Sequence, residues 1–172
     1  MARVPKIEEL EHPELQTLIN EIKGKRGRLS SLYATLLQSP PIAAGWLHFL
    51  TAVRREGVLE GRYRELVILR VALLNHAPYE FNAHRSHAID AGISEAKINS
   101  LENWVQSQHF SETDRVVLSY TDAMTGKIEV EEAIYDAVRH SFGSREIVEL
   151  TATVAAYNLV SRFLVALEIG KT

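Results

Sequence analysis

Cysteine is absent from all 172 residues. That excludes disulfides, thiolate metal ligands and thiol catalysis by this chain. It fits a cytoplasmic location, where thiols are kept reduced and no covalent staples are needed. An excess of one charge is missing too. Nineteen Lys and Arg against 22 Asp and Glu leave a net charge of -3, so nothing resembles the basic footprint of a nucleic-acid binder. Long unbroken hydrophobic runs are lacking. The most apolar stretch, residues 147–169, is interrupted by Glu149, Asn158, Arg162 and Glu168 and reads as a buried amphipathic helix, not a membrane span. Residues 1–6 carry no apolar core of a secretory signal. There is no Gly-x-Ser-x-Gly elbow, no phosphate-binding glycine loop and no dinucleotide fingerprint.

Alternation of apolar and polar residues, the mark of a half-buried strand, does not stand out. What is there repeats at helical spacing. The reading is all-α, with residues 1–172 forming a single domain, because this length suits one sizeable core. Pro13 opens a helix that Gly24 stops, and a short helix follows at residues 32–37. Ser39 and Pro40 start another, with a core stripe of Ile42, Trp46, Phe49, Leu50 and Val53. His48 lies off that stripe and is expected to be exposed. A central pair follows at residues 62–77 and 79–91, stopped by Gly92. Ser94 caps a helix to residue 105, Ser111 with Asp114 forms a capping box for 112–125, and Ser144 caps the last and longest helix. Arg64-Glu65-Leu66-Val67 recurs as Arg145-Glu146-Ile147-Val148, a weak two-half repeat or a chance likeness of two helix starts.

The densest chemistry lies in the central pair. Glu80, His84 and His87 are spaced by four and three residues and share one helix face. Glu80 and His84 form either a minor surface pair or a carboxylate that orients an imidazole for general acid–base work. Ala88 and Ala91 continue that face, which suggests that it is packed. Glu65 has two readings as well. It sits in the first turn of its helix, where it favours the dipole, or in an apolar pocket that raises its pKa and suits it to proton transfer. Glu65, His76, Glu80, His84 and His87 supply imidazoles and carboxylates of the kind metals bind, but no His-Glu-x-x-His spacing. The expectation is no metal and no cofactor.

The stretch Arg64-Glu65-Leu66-Val67-Ile68-Leu69, with Asn75, Tyr79-Glu80-Phe81, His84 and Ala91-Gly92-Ile93-Ser94, resembles the carboxymuconolactone decarboxylase family, which includes the alkylhydroperoxidase D proteins. The likeness continues through Tyr157-Asn158-Leu159-Val160-Ser161-Arg162-Phe163. It implies the alkylhydroperoxidase D-like helical fold and a homo-oligomer, a trimer or hexamer, with sites near subunit contacts. The peroxidase branch of that family uses a Cys-x-x-Cys pair, whose positions here are Ala77 and Glu80, so thiol peroxidase chemistry is not expected. The decarboxylase branch needs no cysteine. The resemblance makes His84 the proton-transfer residue, Glu80 its orienting partner and Glu65 a second acid–base group. A lyase for a small carboxylated lactone or related acid, of the kind met in aromatic catabolism, is the reading; a non-redox scaffold and a metal-dependent enzyme are its alternatives. The substrate would be a small carboxylate, so arginine is the expected clamp. Arg70, Arg85 and Arg162 are the candidates, with Tyr79 as a further binding residue. Arg162, inside the apolar last helix, is expected to need a buried partner.

Overall fold

A computed structural model describes residues 2–170. Its regular structure is helical, with no strand among the described residues. Among the described residues nine α-helices follow one another: α1 (Gln16–Arg26), α2 (Ser31–Leu36), α3 (Pro40–Thr51), α4 (Gly61–Leu74), α5 (Pro78–Asp90), α6 (Glu95–Ser100), α7 (Glu112–Gly126), α8 (Glu132–Ser141) and α9 (Ser144–Ala166). The all-α expectation is met. The chain divides into two compact units, one of residues 1–56 with 166–172 and one of residues 57–165.

The first unit holds α1 to α3. A 3-10 turn at Pro13–Leu15 leads into α1. The helix does not stop at Gly24, as the sequence suggested. It runs on to Arg26 and ends at Gly27, whose φ of 80° is the left-handed conformation that glycine adopts freely. Arg26 then ties the unit together, donating to Tyr33 Oη at 3.1 Å, to the Leu47 carbonyl at 3.3 Å and to Thr51 Oγ1 at 3.1 Å. Pro40 takes the first position of α3. The buried face of α3 is Ala43, Trp46, Leu47 and Leu50, while Ile42 and Phe49 of the expected stripe are exposed. His48 is exposed as expected. Beyond Thr51 the chain adds a π-helical turn, Ala52–Glu56.

The second unit is built around α4. Its nine buried residues include the run Leu66, Val67, Ile68, Leu69. A helix buried all round reads as continuously apolar, and α4 is packed by α5 and α7. The α4–α5 elbow is tight. After the Asn75 C-cap, His76 has a φ of 52°, and the Ala77 N–H reaches back to the Ala72 carbonyl at 2.8 Å. This is a Schellman-type stop with histidine where glycine is usual. Pro78 follows at the first position of α5. The capping box predicted for α7 is present, with Ser111 and Asp114 each accepting from the other's backbone N–H. The helix expected over 94–105 is only α6; beyond it the chain turns, and Trp104 donates its indole N–H to Asp122 at 3.0 Å. α9 has the length and hydropathy to cross a membrane, but half of its apolar window is buried in the protein, as in a core helix.

Gly57 opens this unit at a close approach. Glu149 of α9 accepts from the N–H groups of Val58 and Leu59, each at 2.7 Å, and a Cβ on Gly57 would stand 2.7 Å from its Oε2. Burial opposes the charged form of Glu149, but the two backbone donors and Arg145 outweigh it and hold its carboxyl below the usual range.

Candidate acid–base site

Three elements of the second unit bring four groups together. α4 supplies Glu65, α5 supplies Glu80 and His84, and α9 supplies Tyr157. All four are buried, with exposures of 5%, 6%, 4% and 1%. Glu65 is thus not a surface residue favouring a helix dipole. Its neighbours in sequence, Leu66 to Leu69, carry it into the interior.

His84 is bracketed at both ring nitrogens. Nδ1 lies 2.7 Å from Glu65 Oε2, and Nε2 lies 3.2 Å from Glu80 Oε1. Tyr157 Oη stands 3.4 Å from Nε2, and its ring meets the imidazole edge-on with centroids 5.3 Å apart. His87, one turn further along α5, sets its ring 5.5 Å from that of His84. Burial by itself pushes an imidazole toward its neutral form. Here the hydrogen bonds and charges of Glu65 and Glu80 outweigh burial, and the pKa of His84 is raised. Glu65 and Glu80 thus favour the protonated form of the buried ring.

Tyr157 carried no role in the sequence reading. It is 73 residues from His84, and only the packing of α9 beside α5 joins them. A polar seam next to it fixes α9. Asn75 donates to Asn158 Oδ1 at 2.9 Å and to Ser161 Oγ at 2.7 Å, and Asn158 donates to Thr125 Oγ1 and the Val154 carbonyl, each at 3.0 Å.

The arginines fall differently from expectation. Arg70 is committed: Nε and Nη2 grip Asp122 at 2.7 and 2.8 Å, and Nη1 donates to the Leu101 carbonyl at 2.8 Å. It ties α4 to α7 and to the turn after α6. Arg85 pairs with Glu95 at the surface. Arg162 is exposed on α9 and needs no buried partner, because it lies on the outward side of a helix whose apolar residues are not all inward. Tyr79 is half-buried in the first turn of α5. The arginine beside the cluster is Arg64, whose Nε lies 3.8 Å from Glu65 Oε1 and, although buried, has no hydrogen-bond acceptor.

Among the described residues, no group of three His, Asp or Glu side chains is arranged to hold a metal ion. A cavity of about 770 Å³ opens at the α4–α5 elbow, and none of the four cluster residues lines it.

The carboxymuconolactone decarboxylase family matches residues 40–123, which include Glu65, Glu80 and His84. The uncharacterized protein YnjA of Escherichia coli is 27% identical over 73% of this chain, and the matched part spans 66% of its own length, just under two thirds. An Agrobacterium tumefaciens protein of unknown function, suggested to be an antioxidant defence protein AhpD, superposes with a TM-score of 0.74 at 26% identity, covering 78% of this chain and 93% of that one. A peroxidase-related protein of Ralstonia eutropha JMP134, described as an alkylhydroperoxidase AhpD core, superposes with a TM-score of 0.84 at 20% identity over 99% and 92% of the two chains. The helical fold, the matched segment and the shared architecture all support a carboxymuconolactone decarboxylase / alkylhydroperoxidase D-like family.

Proposed function

We propose that the protein is a cofactor-free lyase that decarboxylates a small carboxylated lactone or related acid, with His84 as the acid–base centre. The observation that carries this reading is the buried imidazole held between Glu65 at Nδ1 and Glu80 at Nε2. The family resemblance supplies the reaction type, and the absence of cysteine removes the thiol route.

The chemistry asks for three things. The bond from carbon to the carboxylate breaks and carbon dioxide leaves. The electron pair passes into the conjugated lactone as an enolate. A proton then reaches carbon, so that carboxylate plus proton becomes product plus carbon dioxide. His84 is suited to the last step. Its raised pKa favours the protonated form, and its Nε2 side also meets Glu80 and Tyr157, which can steer the proton. Glu65 holds the ring by Nδ1 and stabilises the imidazolium. Arg64 replaces Arg70, Arg85 and Arg162 as the residue to hold the substrate's anion. A buried guanidinium N–H without an acceptor costs about 1–3 kcal/mol, and a bound carboxylate supplies the missing acceptor.

The test is turnover of 4-carboxymuconolactone followed by ultraviolet absorbance, in untreated and chelator-treated protein and in His84→Gln. Loss of substrate that survives the chelator and needs His84 is the expected result. Turnover abolished by the chelator, or unchanged in His84→Gln, would sink the reading.

A further inference from the structure

The α4–α5 elbow combines a cavity with a histidine in the left-handed conformation. The cavity, about 770 Å³, falls within the size range of small-molecule sites. Leu73, Ala77 and Phe81 give it apolar walls, and His76, Asn82 and Glu102 add polar groups. His76 has a φ of 52° at the position of the helix stop where glycine fits without cost. A left-handed conformation costs a residue with a Cβ about 1–2 kcal/mol. His76 thus sets its ring on the lining of this cavity from a backbone conformation that few non-glycine residues adopt.

Charge decides what the cavity takes. Arg70 contributes to the lining, but Asp122 neutralises it and two carbonyls take its Nη1 donors. Glu102 brings an exposed carboxylate. An anionic ligand would meet that carboxylate with no free arginine or lysine on the lining. An uncharged hydroxyl has complementary partners: it donates to Glu102 or to an imidazole nitrogen and accepts from the Asn82 amide. Phe81 offers a ring face for stacking.

We propose that the α4–α5 cavity binds an uncharged one- or two-ring molecule bearing a phenol-like hydroxyl, with His76 and Glu102 reading the hydroxyl. None of its lining residues belongs to the Glu65–Glu80–His84–Tyr157 cluster, and the proposal is tested without turnover, so it stands or falls apart from the lyase reading.

The probe is 2-naphthol, titrated by its fluorescence at neutral pH, beside 2-naphthoate, which has the same rings and a negative charge. Saturable binding of 2-naphthol, at least tenfold tighter than 2-naphthoate, is expected. His76→Gly should bind 2-naphthol about tenfold more weakly, the factor carried by one hydrogen bond. Its melting temperature should be unchanged or higher, because glycine suits the turn. Glu102→Gln should narrow the preference by improving 2-naphthoate. No saturable binding of 2-naphthol, tighter binding of 2-naphthoate, or equal affinity in His76→Gly would each overturn the proposal.

Discussion

Glu65 on α4 and His84 on α5 share a 2.7 Å hydrogen bond in the interior of the second unit. The pair joins two helices and raises the pKa of the ring, so one carboxylate acts on both packing and protonation. Replacing it separates the two. Glu65→Gln keeps the shape and removes the charge. The imidazole then loses its main counterweight to burial, and its pKa should fall, as read by NMR titration of the ring protons. Stability should drop by about 2 kcal/mol, the scale of a charge-assisted hydrogen bond.

Stability should also depend on pH through His84. Its native pKa is raised, so its contribution is full below the unfolded value and is lost as pH rises through the native one. Thermal melts of the protein and of His84→Gln, recorded from pH 5 to pH 9, should differ most at the acid end of neutrality and converge toward alkaline pH. A gap that widens on the alkaline side would mean that the ring is neutral in the folded protein. At the acid extreme Asp114 acts oppositely. Burial opposes its charge, but Lys97 and Ser111 outweigh that and lower its carboxyl pKa, so its contribution is lost as pH falls through the native value.

Asp122 should matter to folding and not to substrate. It accepts two hydrogen bonds from Arg70 and one from Trp104. Asp122→Asn leaves the Arg70 charge largely buried without its counter-ion, and partial exposure of Asp122 moderates the cost to about 2–3 kcal/mol. Urea melts measure it. If Arg70 clamped substrate instead, Asp122→Asn would change affinity more than stability.

The helices were legible because their stops and caps are local. Ser111 with Asp114, Pro78 and Gly92 act within a turn, so spacing alone places them. Glu80 and His84 were legible for the same reason: four residues on one helix share a face. Glu65 stayed ambiguous, because a glutamate in a first turn serves the dipole or the interior, and sequence does not say which side of α4 is covered. α4 is covered on all sides. Tyr157 and Asp122 were invisible because their partners lie 73 and 52 residues away and depend on how helices dock. Arg162 misled for the converse reason. An apolar run suggested burial all round, yet α9 keeps Val148, Leu159, Arg162 and Val165 exposed along one side.

Arg64 offers a way to divide binding from chemistry. Its buried Nε has no acceptor, and it borders Glu65 without touching His84. If the guanidinium holds the substrate's carboxylate, Arg64→Lys keeps the charge but loses the planar fork, so KM for the carboxylated substrate should rise about tenfold while kcat changes little. His84→Gln should lower kcat by about 10²–10⁴, the usual range for a general acid–base group, and leave substrate affinity nearly intact. Tyr157→Phe falls between them. It keeps the ring packed edge-on against His84 and deletes the hydroxyl near Nε2. Fold and affinity should survive it, while the pH profile of kcat shifts, because one of the groups that steer the His84 proton is gone. A profile identical to that of the unaltered protein would place Tyr157 in the packing and leave Glu80 as the proton's partner at Nε2.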